Sequence, residues 1–325
     1  MRIAIIGGGI CGLFLAWQLS KKGENVVVFE KKEKIGKEVC SGLFSERILD
    51  FIPESKNLIE GEINYCLIHF PRKTIQIKFN RRFFLINHAQ LDRLVAELAK
   101  KSGAKIILGQ PVNLTTFPHF LEKKMGVYGY FDKIIGCDGA ASTTRKSLGL
   151  VKPNYRLGIQ YFVSQSKNNK TNFVETWPVK QGFIWKIPRG KKIEYGIISQ
   201  PPLAKKLFLE FLNQNKIKPN ESDLKAAIIP QGFVLPKMNS DITLCGDAIG
   251  LTKPWSGGGV VWSLIASSIL LKDFPDFIKY RRQLKKFFFS KIIFARLAVK
   301  IVYFGGHRLV NLIPRNIEIE SDYLL

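Results

Sequence analysis

Acidic residues are scarce in this chain. Its 325 residues include 26 aspartates and glutamates against 50 lysines and arginines, which gives a formal net charge of +24. Such an excess of positive charge favours anionic partners, such as an acidic lipid surface or a phosphorylated substrate. A general lysine-rich composition is the alternative explanation. No basic motif interleaved with aromatic residues stands out, so we expect no nucleic-acid partner.

Cysteine is also infrequent, and its spacing is irregular. The five cysteines are Cys11, Cys40, Cys66, Cys137 and Cys245. An odd number of cysteines without a C-x-x-C pair argues against a disulfide framework, a zinc site or an iron–sulfur site. It favours a location of the protein in a reducing cytosol. The four histidines show no metal-ligand spacing. We therefore expect no metal, and a Ser/His/Asp triad has no support.

The chain shows no signal peptide, internal repeat or low-complexity linker. It enters an apolar segment at once, so we expect the N-terminus to be mature as written and the protein to be cytoplasmic. A length of 325 residues with 46% hydrophobic residues suits one large or two interleaved globular domains.

Met1–Glu30 predicts a strand, a tight glycine turn, a helix and a second strand. Ile3–Ile6 is an apolar run long enough for a buried strand, and residues 7–12 (GGGICG) have the G-x-G-x-x-G spacing. Apolar residues then recur at helical spacing. Val26–Phe29 predicts the second buried strand, which Glu30 closes.

The glycines of this turn have separate physical roles. Gly7 permits the sharp turn, Gly9 lets a pyrophosphate approach the backbone, and Gly12 lets the helix pack close to the sheet. The first helical turn, which contains Cys11, offers free N–H groups and a partial positive charge to phosphates. Glu30 suits a ribose diol and disfavours a ribose phosphate. The pattern predicts FAD or NAD, and a purely structural turn is the alternative.

The rest of the chain alternates between two kinds of pattern. Segments rich in β-branched and aromatic residues predict a substrate-binding β-rich domain made of residues 63–86 and 151–239. Strand and helix patterns elsewhere predict a discontinuous nucleotide-binding domain made of residues 1–62, 87–150 and 240–271. Residues 272–325 remain as a basic amphipathic helical tail.

The tail lacks acidic residues from Phe277 to Ile317, a stretch that contains ten lysines and arginines between apolar clusters. These charges interrupt the apolar run too often for a spanning helix. A basic amphipathic helix lying on anionic lipid fits this pattern. A helix packed on the body of the protein is the alternative. The first interpretation predicts peripheral membrane association.

Several segments together resemble the FAD-dependent geranylgeranyl reductase family, within the larger group of flavoproteins that includes aromatic hydroxylases. Besides the opening motif, they are KEVCSG at residues 37–42, DKIIGCDGAAS at residues 132–142 and CGDAIGLTKPWSGGGV at residues 245–260. GFIWKIP at residues 182–188 resembles the family's aromatic-x-Trp-x-Phe-Pro strand, which lines the isoprenoid pocket. The likeness spans roughly residues 1–270.

The chain departs from the family pattern in three respects. His88 stands where the family carries an arginine, and Ile187 replaces an aromatic residue. The chain is also short for the family, chiefly after residue 270.

The resemblance implies an α/β fold with an FAD-binding Rossmann-like domain, an inserted antiparallel β-sheet substrate domain of aromatic hydroxylase-like architecture, and C-terminal helices. It implies FAD as the cofactor. The implied cofactor-binding residues, with Val112 assigned by position alone, are Gly7, Gly9, Cys11, Gly12, Glu30, Ser41, Gly42, His88, Val112, Asp138, Asp247, Gly258, Gly259 and Val260. The implied substrate-binding residues, for which core packing is the alternative, are Phe183, Trp185, Pro188, Pro254 and Trp255.

The implied reaction is reduction of isoprenoid double bonds of geranylgeranyl type, in membrane lipids or prenyl diphosphates, by hydride transfer from reduced flavin. An isolated alkene accepts hydride poorly, so the flavin must lie face-on with a proton source opposite. Cys40 is the candidate catalytic residue, and an inert thiol is the alternative.

Two other functions remain open at this point. They are an FAD-dependent monooxygenase acting on a lipid or aromatic substrate, and a non-enzymatic flavin- or lipid-binding protein. The chain has no second dinucleotide motif. The candidate transient electron donors are therefore a nicotinamide, a ferredoxin and a deazaflavin.

Overall fold

The structure is a computed structural model that describes residues 1–112, 114, 120–123, 126–169 and 171–319. His119 and residues 320–325 of the predicted tail lie outside the described residues.

The strands, in chain order, are β1 (Arg2–Ile6), β2 (Asn25–Phe29), β3 (Leu43–Ser45), β4 (Ile59–Phe70), β5 (Lys73–Ile86), β6 (Lys105–Ile107), β7 (Phe120–Lys123), β8 (Gly126–Tyr130), β9 (Lys133–Gly136), β10 (Asn154–Asn169), β11 (Phe173–Val179), β12 (Gly182–Ser199), β13 (Lys225–Gln231), β14 (Ile242–Leu244) and β15 (Asn316–Ile319). The α-helices are α1 (Ile10–Lys21), α2 (Ile48–Phe51), α3 (His88–Lys101), α4 (Thr143–Ser147), α5 (Pro201–Gln214), α6 (Val260–Asp273) and α7 (Phe277–Arg308). Short 3₁₀ segments span Pro53–Leu58, Glu221–Asp223, Gly246–Ile249 and Val310–Leu312.

A parallel sheet of five strands, in the order β14-β9-β1-β2-β6, carries the predicted nucleotide-binding motif. The apolar runs of β1 and β2 are buried, as expected for parallel strands covered by helices. Helix α1 is buried along most of its length and packs between the sheet, α3 and α6. The first thirty residues therefore form the centre of this layer, which confirms the predicted strand–turn–helix–strand unit.

A second sheet of eight strands follows the order β13-β10-β12-β11-β4-β5-β15, with β3 paired to β5. Most of its pairings are antiparallel, but β11 runs parallel to β4 and β15 runs parallel to β5. The predicted combination of a Rossmann-like layer with a β-rich layer is confirmed, and the second sheet is mixed where the sequence analysis expects an antiparallel one. Its strands cover both segments predicted to be rich in β-structure.

Strand β15 lies in the segment that the sequence analysis treats as helical. Residues 316–319 alternate between polar and apolar side chains, and Ile317 packs against the core of the mixed sheet. Four residues are too few for periodicity to distinguish a strand from a loop, so only the pairing with β5 reveals it.

Helix α7 contributes to the body of the protein through its first half. Tyr280, Leu284 and Phe288 are fully buried, and the Tyr280 hydroxyl donates a hydrogen bond of 3.2 Å to the carbonyl of Leu244 in β14. Among the described residues, no helix combines the length and the apolarity that crossing a bilayer requires. The packed alternative therefore holds for this first half of α7.

Candidate active site

A cleft of about 540 Å³ lies between the parallel sheet and the mixed sheet. The glycine turn of residues 7–9 lines one part of it, and Phe183, Trp185 and Trp255 line another. Concave, largely apolar sites of this size with a few polar groups bind cofactors and small molecules. Most of the predicted cofactor residues and the three predicted substrate aromatics thus share one continuous space.

The glycine turn fits a dinucleotide pyrophosphate. At Gly7, where φ is +111°, an added Cβ would stand 2.4 Å from the Cys137 carbonyl oxygen, and at Gly12 it would stand 2.1 Å from the Gly7 carbonyl oxygen. At Gly9 an added Cβ would meet no atom within 4 Å. Helix α1 has no side-chain cap and no acidic residue in its first turn. Free N–H groups therefore face an open space that suits a phosphate.

Glu30 stands at the end of β2 and lines the cleft beside this turn. Its carboxylate accepts hydrogen bonds from the backbone N–H of Gly8 at 2.6 Å and of Lys32 at 2.9 Å. These bonds fix its orientation. Cys11 also lines the cleft but lies largely buried, with its Sγ 3.8 Å from Cys137 Sγ. The interaction with Cys137 raises the pKa of Cys11 well above its ordinary value, so this thiol stays protonated.

Asp138 follows β9 and lines the cleft, but its carboxylate organises its own loop. It accepts hydrogen bonds from the Ser142 hydroxyl and from the Thr144 backbone N–H, the latter at 2.9 Å. Asp138 therefore holds the start of α4 in place, and the cofactor contact assigned to it stays a prediction.

Asp247 and the glycines before α6 form the opposite wall. Lys37 Nζ lies 3.7 Å from Asp247 Oδ2, and a Cβ on Gly259 would stand 2.8 Å from Asp247 Oδ1. Gly258, Gly259 and Val260 all line the cleft, where α6 begins without a side-chain cap or an acidic residue in its first turn. This second helix N-terminus therefore presents partial positive charge to the cleft.

The remaining predicted site residues divide into two groups. Ser41 and Val112 line the cleft. The predicted residues outside the lining are Gly12, Gly42, Pro188 and Pro254. Gly42 has a φ of +56°, and a Cβ there would stand 2.3 Å from the Ile86 carbonyl oxygen, so this glycine allows a close approach of two backbones. Pro188 lines a separate small cavity of about 40 Å³.

A cluster of Cys40, His88 and Asp92 stands on the cleft wall. His88 Nε2 lies 3.4 Å from Asp92 Oδ1, and both side chains are almost completely buried. The other carboxylate oxygen of Asp92 accepts a hydrogen bond of 2.9 Å from the Lys37 backbone N–H. The Gly42 backbone N–H donates to Cys40 Sγ at 3.4 Å. The half-buried thiol of Cys40 therefore lies between the Gly42 N–H donor and the His88 imidazole.

Burial and charge act in opposite directions on this cluster. Burial raises the pKa of the Cys40 thiol, but His88, Lys37 and the Gly42 N–H outweigh burial and lower it. Burial lowers the pKa of His88, but Cys40 and Asp92 outweigh burial and raise it to about 10. The two groups favour a thiolate–imidazolium pair. The sequence pattern predicts His88 as a cofactor residue and does not single out Asp92, although their i, i+4 spacing on α3 is a usable signal.

The aromatic wall is held by a buried ion pair that no motif in the sequence predicts. The Trp185 Nε1–H donates to Glu194 Oε1 at 2.9 Å, and Arg189 Nη2 donates to Glu194 Oε2 at 2.9 Å. Glu194 is fully buried, so burial raises its pKa, and the interactions with Arg189 and Trp185 oppose this shift. These bonds fix the indole of Trp185 in the cleft.

Two contacts complete this wall. A Cβ on Gly196 would stand 2.1 Å from the Trp185 ring, so the indole lies against bare backbone. Phe183 stacks on Trp255 with ring centroids 5.8 Å apart and planes 8° apart. The predicted substrate aromatics therefore form one packed surface.

Comparisons with known proteins agree with this geometry. Residues 2–52 match a family model described as FAD dependent oxidoreductase. A digeranylgeranylglycerophospholipid reductase from Methanococcus vannielii is 23% identical over 97% of this chain and 91% of its own length. A geranylgeranyl bacteriochlorophyll reductase-like protein from Thermoplasma acidophilum is 18% identical, with a TM-score of 0.79 over 99% of this chain and 94% of that chain. The cofactor of this chain is FAD.

The predicted resemblance to the geranylgeranyl reductase family is likewise confirmed. A flavin-dependent brominase of known structure is 12% identical, with a TM-score of 0.77 over 95% of this chain and 90% of that chain. At such identities the solved structures show the fold alone, and they share it across different reactions. The matches together indicate an FAD-dependent oxidoreductase.

Gly9 provides a test of the cofactor cradle. Gly9 has φ −86° and ψ 177°, which any residue adopts, and open space at its Cβ position. We expect Gly9→Val to keep the melting temperature of the apoprotein but to weaken FAD binding at least tenfold, because one lost charge-assisted hydrogen bond is worth about 1.5–3 kcal/mol. FAD titration of the apoprotein measures this. Gly12→Val, whose side chain would meet backbone, should instead lower the melting temperature itself. Unchanged FAD affinity in Gly9→Val would contradict the assignment.

The Cys40–His88 pair predicts an unusually reactive thiol. We expect the rate at which iodoacetamide alkylates wild-type Cys40 to reach half its maximum at a pH below the ordinary pKa of a thiol. His88→Asn should move this midpoint upward by roughly 1–3 pH units, because it removes the nearby positive charge. Mass spectrometry of Cys40 across a pH series measures the shift. The buried Cys11, Cys66, Cys137 and Cys245 serve as internal controls. Identical midpoints in the two proteins would show that His88 does not ionise this thiol.

Proposed function

We propose that this chain reduces isoprenoid double bonds of geranylgeranyl type in membrane lipids or prenyl diphosphates. The observation that carries the proposal is the continuity of the cleft, which joins the FAD cradle at Gly9 and Gly258 to the aromatic wall at Trp185. The reductase from Methanococcus vannielii, named for a digeranylgeranylglycerophospholipid, aligns over almost the whole chain and supports the same substrate class.

The residues of the cleft divide the work of such a reaction. Reduced FAD, when bound, supplies the hydride equivalent for one alkene carbon. The backbone N–H groups at the start of α6 stabilise negative charge on a group lying against them. Phe183, Trp185 and Trp255 bind and orient an isoprenoid chain and exclude water from it. Their packing restricts the positions that a double bond can take.

Saturation of one double bond consumes a hydride and a proton. We assign the proton to the pair of Cys40 and His88, in which it resides on Cys40 Sγ or on the imidazole of His88. Asp92 fixes the imidazole from behind, at 3.4 Å from Nε2. Water can restore the proton after turnover because Cys40 is partly exposed.

The test is anaerobic turnover by protein whose FAD has been reduced with dithionite. We expect saturation of a geranylgeranyl substrate, measured by mass spectrometry, together with reoxidation of the flavin absorbance. In the same assay Cys40→Ser should retain its FAD but turn over roughly 10²–10⁴-fold more slowly, the usual contribution of a positioned acid, or should stop at a different degree of saturation.

The outcomes of this assay separate the candidate functions. Oxygen-dependent product formation without anaerobic saturation would favour a monooxygenase. Failure of every prenyl substrate to reoxidise the flavin would favour a non-enzymatic binding protein. An unchanged rate and product distribution in Cys40→Ser would remove Cys40 from the mechanism.

We further propose that the outer face of α7 rests on an anionic lipid surface. From Phe287 onward the helix exposes large apolar side chains between its basic residues, and these are Phe287, Phe289, Ile293, Phe294, Leu297, Ile301 and Phe304. A contiguous exposed apolar stripe of this kind is uncommon on a surface that meets only water. Lysines and arginines beside it complement acidic head groups.

Vesicle sedimentation tests the membrane proposal. We expect the protein to pellet with phosphatidylglycerol-containing vesicles at low salt, and the combined substitution Ile293→Glu, Leu297→Glu and Ile301→Glu to abolish pelleting, because it places three charges on the apolar stripe. The three side chains are more than half exposed, so the fold should tolerate the change. Val151→Glu, an exposed apolar position outside α7, is the control. Equal pelleting of the triple variant and the wild type would count against this surface.

A further inference from the structure

Arg156 lies at the edge of the cleft, on the side of α7. It stands on β10 directly opposite Ile229 of β13, and Ile229 lines the cleft. Gly158, two residues further along β10, also lines it. Residues two apart on a strand share a face of the sheet, so Arg156 continues the cleft wall just beyond the lining residues.

The neighbour of Arg156 on the other side is Tyr303 of α7. Ile229, the β13 partner of Arg156, packs in one apolar cluster with Tyr303 and Trp255, and the Tyr303 hydroxyl donates a hydrogen bond to the Gly182 carbonyl. The Tyr303 ring is 5.1 Å from that of Trp255, which lines the cleft. Arg156 therefore sits where α7, the mixed sheet and the aromatic wall meet.

The positive charge of Arg156 has no counter-charge in the described part of the chain. Its guanidinium is partly buried, and burial lowers its pKa, with Tyr303 as the neighbour that opposes this shift. No ion pair or hydrogen bond joins it to a carboxylate of the described residues. A partly desolvated cation without a partner is unfavourable unless an anion joins it.

A second guanidinium approaches the same edge of the sheet. Arg296 Nη2 lies 3.7 Å from the position that a Cβ on Gly232 would occupy, and Gly232 follows Gln231, which pairs with Asn154. Helix α7 contains no acidic residue. Two arginines therefore add positive charge at one end of an apolar cleft.

We propose that Arg156, assisted by Arg296, binds the phosphate oxygens of an anionic head group on the prenyl substrate while the prenyl chain occupies the cleft. The inference rests on the proposed function and assigns the class of head group, a phosphate or diphosphate ester. The planar fork of a guanidinium matches two phosphate oxygens at once. The apolar wall beside it accounts for the rest of the ligand, and the outer face of α7 places the head group near the lipid surface.

Calorimetric titration of the FAD-loaded protein with inorganic pyrophosphate tests this site without turnover. Loading with FAD fills the glycine cradle, so pyrophosphate cannot bind there. At roughly physiological ionic strength, which screens the general positive charge, we expect Arg156→Gln to weaken pyrophosphate binding about ten- to hundredfold, the value of charge-assisted hydrogen bonds. Arg156→Lys should recover part of the affinity. Arg81→Gln removes an exposed arginine from β5, at the opposite end of the same sheet, and is the matched control.

Turnover distinguishes a head group from a free phosphate. For geranylgeranyl diphosphate we expect Arg156→Gln to raise KM and leave kcat unchanged, whereas for uncharged geranylgeraniol both constants should stay as in the wild type. Equal effects of Arg156→Gln on the two substrates would overturn the inference. A loss of pyrophosphate affinity in Arg81→Gln as large as that in Arg156→Gln would also overturn it. Binding lost in Arg156→Gln with no effect on any prenyl substrate would assign the site to a free phosphate and refute the head-group assignment.

The two proposals fail in different ways. Suppose that the wild type binds geranylgeranyl diphosphate but reduces no prenyl substrate, and that Arg156→Gln weakens this binding. The proposed reaction is then wrong and the binding site stands. If the wild type reduces both substrates and Arg156→Gln changes neither KM, the reaction stands and the head-group site is wrong.

Discussion

The close approach of three backbone segments at the end of β1 is the constraint on which the cleft depends. Gly7 lies so near the Cys137 carbonyl, and Gly12 so near Gly7, that neither position has room for a side chain. This contact brings the ends of β1 and β9 and the start of α1 to one edge of the parallel sheet. Gly9 then faces open space at that edge, and the start of α6 meets it from the other side. The carboxyl ends of parallel strands are the general place for ligands in such folds.

Local signals in the sequence predicted this edge well, because each of its parts is encoded within a few residues. The glycine turn, Glu30 and Gly258 each lie in a short motif, and the chemical role of each motif can be inferred without knowing which distant residues pack against it. The aromatic wall was predicted only in part. Trp185 and Glu194 are nine residues apart, so a continuously extended strand would separate them by roughly 30 Å. The hydrogen bond of 2.9 Å between their side chains shows that the chain reverses within β12, where Gly190 has a φ of +61°. The β-rich pattern predicts strands on either side of this reversal, but it does not predict which side chains meet across it.

Buried charges in the cleft fall into two kinds. Glu194 meets Arg189, and His88 meets Asp92 and Cys40, so each of these charges is balanced inside the protein. Such balanced groups hold side chains in fixed positions, which a cleft needs if a flexible chain is to react at one bond. Arg156 belongs to the other kind, because its charge is partly buried without a balancing carboxylate among the described residues. A ligand can therefore supply the negative charge that the described part of the chain does not place beside Arg156.

Helix α7 joins these features to the outside of the molecule. Tyr280 and Phe288 anchor its first half in the core, whereas the exposed apolar stripe runs along its outer face from Phe287 to Phe304. Tyr303, near the end of the helix, faces inward and touches Trp255, which stacks on Phe183 in the cleft. One helix therefore contacts both the surface assigned to lipid and the wall assigned to the isoprenoid chain. On the proposed function, a substrate leaving a bilayer at the outer face of α7 would lie beside the helix that contacts the aromatic wall, and Arg156 and Arg296 would receive its charged end. The proposal thus accounts for a strongly basic protein whose cleft is mostly apolar.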